Sequence, residues 1–166
     1  KNHIIVEKEK RYNLNIKNIS PPNYFISYTV CERDDIILNK LYSTKSAKLS
    51  ENTQFALGIV TGNNKKYVHT KKMEDEEPIF RGKDIFPYRL KQPETFIKFT
   101  PEVFQQVAPI RMFRTRKIVY KFISDKIVCA LDEGSLVLNS ANIIIAPDYP
   151  MEILVCLFNS PIYTFI

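Results

Sequence analysis

Three of the four glycines in this 166-residue chain fall within two short polar segments whose side chains can address nucleic-acid bases and phosphates. The first is Gly58-Ile59-Val60-Thr61-Gly62-Asn63-Asn64-Lys65-Lys66-Tyr67-Val68, and the second is Pro78-Ile79-Phe80-Arg81-Gly82-Lys83-Asp84-Ile85. Glycine suits places where the backbone takes positive φ or passes close to another surface. Asn is shaped for adenine edges and Arg for guanine edges, while Lys and Arg neutralise phosphates. On this chemistry Thr61, Asn63, Asn64, Lys65, Lys66, Arg81 and Lys83 are candidate DNA contacts, with Asn63 and Asn64 as base readers. A second group is Arg111, Arg114, Arg116, Lys117 and Lys121, a stretch without an intervening acid.

Charge is distributed in the same sense. Residues 58–121 hold fourteen basic and seven acidic side chains, whereas residues 122–166 hold one basic and five acidic, in a chain of net charge +6. A basic face of this kind attracts phosphate by counterion release and steers association. Catalytic alternatives find little support. The chain has two histidines and three widely separated cysteines (Cys31, Cys129, Cys156), so no zinc-binding spacing exists. The cysteines read as buried free thiols of a reducing, cytoplasmic compartment. Ser20-Pro21-Pro22-Asn23-Tyr24 has the composition of an adenine-binding Asn-Pro-Pro-Tyr loop in the wrong order, and it reads as a turn. Neither a phosphate-binding glycine loop nor a nucleophile elbow is present. Asp84 and Asp132-Glu133 lack the framing of a nuclease site, and Asp84 is expected to order its own loop by accepting backbone hydrogen bonds. No apolar run reaches the ~18 residues that span a bilayer, and Lys8, Lys10 and Arg11 interrupt any signal-peptide pattern. No catalytic residue and no metal site are expected.

The elements that must hold these residues form a mixed α/β (α+β) pattern without repeats, read as a twisted mixed β-sheet core with a few flanking helices. A short strand is expected over 4–6, followed by a polar linker, with extended chain at 24–28 and a helix over 33–43. Further strands are expected over 54–60, 67–69 and 95–99. Thr100-Pro101-Glu102 has the chemistry of a helix start, and that helix should end before Pro109. The β-branched stretches 117–123, 126–131 and 137–146 should supply the central strands, with a turn at Asp132-Glu133-Gly134-Ser135. Asn139-Ser140-Ala141-Asn142 reads as a turn or strand-edge motif. Pro150 should open a helix whose apolar residues (Met151, Ile153, Leu154, Val155, Leu157, Phe158) surround nearly its whole circumference, which predicts burial against further protein.

Five segments in order resemble one family. Gly58 to Val68, Arg81-Gly82-Lys83-Asp84-Ile85, Arg116-Lys117-Ile118-Val119-Tyr120-Lys121-Phe122-Ile123, Leu138-Asn139-Ser140-Ala141-Asn142-Ile143-Ile144-Ile145 and Leu157-Phe158-Asn159-Ser160 are similar to the TaqI-like C-terminal specificity domain. That domain is the target-recognition part of N6-adenine DNA methyltransferases and of fused restriction-modification enzymes. The resemblance implies a non-catalytic domain over 50–166 that recognises double-stranded DNA, preceded by a connecting segment over 1–49. It implies a parent that methylates adenine and, in fused enzymes, also acts as an endonuclease. S-adenosylmethionine would belong to an upstream catalytic domain, the second partner besides DNA. Both ends of the chain read as cut from a longer protein, and the C-terminal apolar helix is expected to self-associate. Two other functions fit the composition: a single-stranded nucleic-acid binding module and a protein–protein docking domain.

Overall fold

Strands built from β-branched side chains make the centre of the protein, and their alternation sorts the side chains onto two faces. The computed structural model describes residues 2–7, 10–15 and 32–165. They fall into two compact units, Lys1–Ala47 and Lys48–Ile166. In the second unit, β3 (Gln54–Leu57), β8 (Lys117–Lys121), β9 (Cys129–Asp132) and β11 (Ala141–Ile145) form a four-stranded sheet in the order β3-β11-β8-β9. Every pairing is antiparallel. Val119, Ala141 and Ile143 face one core, where Ile59, Ile79, Phe113 and Leu136 are also buried. Ile118, Cys129 and Ile144 face a second core completed by Val155 and Phe158. Successive strand residues point to opposite faces, so adjacent members of one apolar run enter different cores.

The first core is closed by a smaller sheet. β4 (Glu77–Phe80) lies between β10 (Leu136–Val137), which is parallel to it, and β7 (Phe96–Ile97), which is antiparallel. Single bridges widen this sheet: Ile59 with Leu138, Val60 with Gln106 and His69 with Phe96. Between β4 and β7 a small hairpin intervenes, β5 (Ile85–Phe86) with β6 (Arg89–Leu90). The protein is thus a mixed α+β fold with several sheets and few helices.

The second core is closed by a helix, α4 (Met151–Phe158). Met151, Leu154, Val155 and Phe158 lie on its inner face at helical spacing. The outer face is also apolar: Ile153 is 56% and Leu157 40% exposed. Behind it, α5 (Pro161–Phe165) sets the Tyr163 ring edge-on against Phe158 at 5.2 Å. The edge strand β9 does not expose its backbone at Cys129. Asn159 Nδ2 donates to the Cys129 carbonyl at 2.9 Å, and its Oδ1 accepts from the Cys129 N–H at 3.1 Å. Tyr88 N–H also donates to that carbonyl. A side chain and a hairpin tip thereby cap an edge that would otherwise invite strand pairing.

Lys1–Ala47 contains a hairpin and a helix. β1 (Asn2–Glu7) and β2 (Lys10–Asn15) pair antiparallel, with Ile5 opposite Tyr12 and His3 opposite Leu14. α1 spans Glu32–Ser43. The polar linker expected after residue 6 is therefore a strand in part. Polar residues serve there because the antiparallel ladder is a backbone interaction. The extended stretch at 24–28 and the turn at Ser20–Tyr24 lie outside the described residues.

Three other expectations are corrected. The helix expected after Thr100 is one 3-10 turn, Pro101–Val103. Phe104 then enters the core, and Gln106 exchanges both backbone hydrogen bonds with Val60, so its N–H and C=O are committed to the sheet. A short helix, α3 (Ile110–Arg114), follows instead and buries Phe113. Residues 67–69 are not a strand, since α2 (Asn64–Tyr67) occupies the start and only His69 joins the sheet. Cys129 is buried as expected, and burial pushes its thiol up to about 12, but Cys156 is exposed. That exposure follows from its place on the outer face of α4.

Candidate nucleic-acid interface

Segments remote in sequence meet at one turn. Asn139 and Ser140 connect β10 to β11, and each glycine segment packs its backbone against this turn. A Cβ at Gly58 would fall on the Leu138 carbonyl, and one at Gly82 would lie 2.5 Å from the Ser140 oxygen. Both distances are closer than real Cβ atoms approach, so glycine is required by contact here and not by φ. Hydrogen bonds fix the junction. Gly58 N–H donates to Ala141 O at 3.0 Å, Asn139 N–H to Ile59 O at 3.0 Å, and Gly82 N–H to Ser140 Oγ at 2.9 Å. Phe122 N–H donates to Ser140 O at 3.1 Å and ties the β8–β9 connection to the same point.

The first loop is ordered from within. Gly62 has φ +76°, a left-handed turn. Thr61 Oγ1 donates to Asn64 Oδ1 at 2.7 Å and accepts from Asn63 N–H at 3.1 Å. Asn63 Oδ1 accepts from Lys66 N–H and caps α2. Thr61 is buried, so its expected role as a DNA contact is corrected: its hydroxyl shapes the loop. Asn63, Asn64, Lys65 and Lys66 remain exposed, with the Lys66 ammonium 5.0 Å from the Tyr67 ring centre.

The second loop is a 3-10 turn, Gly82–Asp84, and Asp84 orders it as expected by accepting from Arg81 N–H at 2.8 Å. Lys83 projects outward, 3.5 Å from Glu94, which also pairs with Lys91 at 2.9 Å. Behind the turn, the Phe86 ring carries two cations, Arg89 at 4.8 Å and Lys121 at 5.8 Å from its centre. Tyr88, at the hairpin tip, has φ +68° and is 58% exposed. Glu94 thus links Lys83 with Lys91, the Phe86 ring links Arg89 with Lys121, and Lys83 and Lys121 line one groove. Arg89, beside Tyr88 in this hairpin, was not among the residues singled out in the sequence. The signal was their hairpin, Ile85-Phe86-Pro87-Tyr88-Arg89-Leu90, directly after Arg81–Ile85.

The basic stretch after residue 110 is arranged otherwise. Lys117 is fully buried, and its ammonium bonds to Asp132 Oδ2 and the Phe113 carbonyl. Burial pushes it below the usual lysine range, against the pull of Asp132. Lys117 is therefore corrected from a DNA contact to a core ion pair. The cause is register: Lys117 lies opposite Asp132 on the face turned to the first core. Arg114 donates twice to Glu77, at 2.7 and 2.5 Å, and once to the Gly134 carbonyl. Arg116 bridges Glu133 at 2.9 Å and Glu152 at 2.6 Å. Hydrogen bonds donated to these acids hold both guanidiniums above their ordinary values. Three of the five expected cations thus meet acids supplied by β4, β9, the following turn and α4. Arg111 and Lys121 have no acidic partner among the described residues.

No metal-binding cluster of three or more His, Cys, Asp or Glu occurs among the described residues. No helix among them is long and apolar enough to cross a membrane.

A polar turn is thus clasped by two glycine loops beside cations stacked on a ring. Residues 77–166 match the TaqI-like C-terminal specificity domain. The chain belongs to that family, whose members are DNA-recognition domains of restriction-modification enzymes and are not catalytic. The matched span includes four of the five similar segments; Gly58 to Val68 precedes it, yet packs on the same turn. No curated protein matches the chain.

Proposed function

We propose that this protein recognises a specific sequence in double-stranded DNA on behalf of an adenine-N6 DNA methyltransferase, or of a fused enzyme that also cleaves. The observation that carries the reading is the convergence of three segments on the Asn139–Ser140 turn, beside the cations Lys83, Arg89, Lys91 and Lys121. Lys65, Lys66, Arg81 and Arg111 extend the supply of phosphate contacts. Asn63 and Asn64 read bases in a particular way. Their Oδ1 atoms serve the loop, so their Nδ2 groups are the parts offered outward, and these seek acceptors on a base edge. Arg114 and Arg116 act mainly in the fold.

S-adenosylmethionine and methyl transfer belong to a catalytic domain linked to this one, working in the cytoplasm. The apolar outer face of α4 serves association, with that domain or with a second copy. Single-stranded binding is the second reading, favoured by exposed Tyr88 and Phe122 beside cations.

Fluorescence anisotropy with a labelled duplex tests the proposal. Affinity should fall with a log–log salt slope of about −4, as expected when four to five phosphates are neutralised. Arg89→Ala should weaken binding to all duplexes about equally, whereas Asn63→Ala should change the preferred sequence recovered from a randomised pool. Salt-independent binding, or tighter binding to single strands than to duplexes, would reject it.

A further inference from the structure

The most exposed large apolar side chains among the described residues of Lys48–Ile166 sit where the cations do. In the β8–β9 connection Ile123 is 87% and Phe122 59% exposed, with Ile127 at 38% beside them. Scattered apolar side chains on a surface need no explanation, but a cluster rimmed by polar groups marks a contact site. Here the rim is cationic. Phe122 lines an open groove of ≈ 520 Å³ together with Gly82, Lys83, Lys121, Asn139 and Ser140. Lys126 follows in the sequence, and the only acid in the connection is Asp125, next to Ser124.

The base of the connection is held firmly. Lys121 N–H donates to Val128 O, and Phe122 N–H to Ser140 O, each at 3.1 Å. Gly82 N–H donates to that same Ser140, and the Gly58 segment bonds to Asn139 and Ala141 on either side of it, so the root of the connection is tied to both loops. An apolar tip anchored at its root beside lysines suits one occupant: a duplex with an opened base step. Lysines attract the backbone, while Phe and Ile offer nothing to phosphate and can replace a stacking neighbour.

We infer that Phe122 and Ile123 form a wedge that enters the stacked bases of a bound duplex and distorts it, with Lys83 and Lys121 on the flanking phosphates. This rests on the duplex-binding reading above and adds to it a deformation step. The loops read the sequence, and the wedge makes affinity depend on how easily the step between them opens.

The whole chain can be tested with three 30-nucleotide probes: a paired duplex, the same duplex with a central abasic site, and its single strand. The wild-type protein should prefer the abasic duplex over the paired one about tenfold, because the opening cost has been met in advance. Phe122→Ser combined with Ile123→Ser should abolish that preference while leaving salt-dependent binding to the paired duplex. Both side chains are exposed, so the thermal melt should not change. As a second measurement, Ile123→Trp supplies the one indole in a chain without tryptophan. Its emission should be quenched severalfold on paired duplex through stacking.

A wild-type protein that binds paired duplex without preferring the abasic probe overturns the wedge but leaves duplex binding intact. So does a preference that survives the double substitution, or an unquenched indole. Strongest binding to the single strand replaces the wedge with a stacking platform. Absence of binding to every probe removes the wedge and the duplex reading together.

Discussion

With its ammonium enclosed between the Asp132 carboxylate and the Phe113 carbonyl, Lys117 governs stability and has no surface to give to a ligand. Asp132 Oδ2 also accepts from the backbone of Gly134 and Ser135, so one carboxylate holds the turn after β9 and the cation beside it. Lys117→Met leaves that charge buried without a counterion. The expected cost is about 3–5 kcal/mol in urea unfolding, because an unpaired buried charge is the expensive state. DNA affinity of the folded protein should not change, and a selective loss of affinity at full stability would contradict the placement. Glu76 offers a test in pH. Burial pushes its carboxyl upward, but hydrogen bonds from Met73 N–H and His69 Nδ1, with the histidine's charge, hold it below the ordinary value of 4.5. A group depressed on folding stabilises above its unfolded value and loses that contribution as pH falls through the folded one. Acid unfolding below pH ~4.5 should therefore be shallower in Glu76→Gln, with the two proteins converging at the acid end. Parallel acid limbs would assign no stabilisation to this carboxylate.

At the scale of elements, the clasp around Ser140 is where backbone fit matters most. Gly82→Ala should destabilise the protein by more than Ser140→Ala. The first forces two backbone segments apart, whereas the second removes one hydrogen bond, worth about 1 kcal/mol. Thermal melts of both variants would decide, and equal losses would mean that the hydrogen bond, not the contact, sets the spacing. This contrast also explains what the sequence disclosed. The central strands were readable because runs such as Ile143-Ile144-Ile145 have a strong intrinsic preference for sheet. The turn at Asp132 and the loop at Asp84 were readable because carboxylates close to a backbone N–H make local bonds. The stretch after Thr100 was misread because Phe104 and Gln106 are claimed by partners more than forty residues earlier or by the core itself, and local helix signals carry no trace of them. The basic stretch misled for the same reason. Glu77, Asp132, Glu133 and Glu152 lie between 15 and 37 residues from their cations, so counting charge along the chain missed their neutralisation.

On the scale of the molecule, the two cores of Lys48–Ile166 are unequally enclosed. The first lies between two sheets, whereas the second is covered by one helix whose outer side remains apolar at Ile153, Leu157 and, in α5, Ile162. Sedimentation velocity should detect concentration-dependent association, and Ile153→Lys with Leu157→Glu should suppress it without lowering the melting temperature. A monomer at every concentration would count against this face as a contact between copies. The clasp has a further consequence, for anyone who wishes to change what the protein recognises. Gly58, Gly82 and Ser140 act as a socket, and the exposed parts of the loops are its interchangeable bits. Transplanting residues 63–66 or the tip at 87–88 from a relative should transfer preference when the socket is kept. A whole-loop graft that carries its own glycine spacing would seat differently and spoil both loops together. Retargeting is therefore a matter of exchanging tips while leaving their mounting untouched.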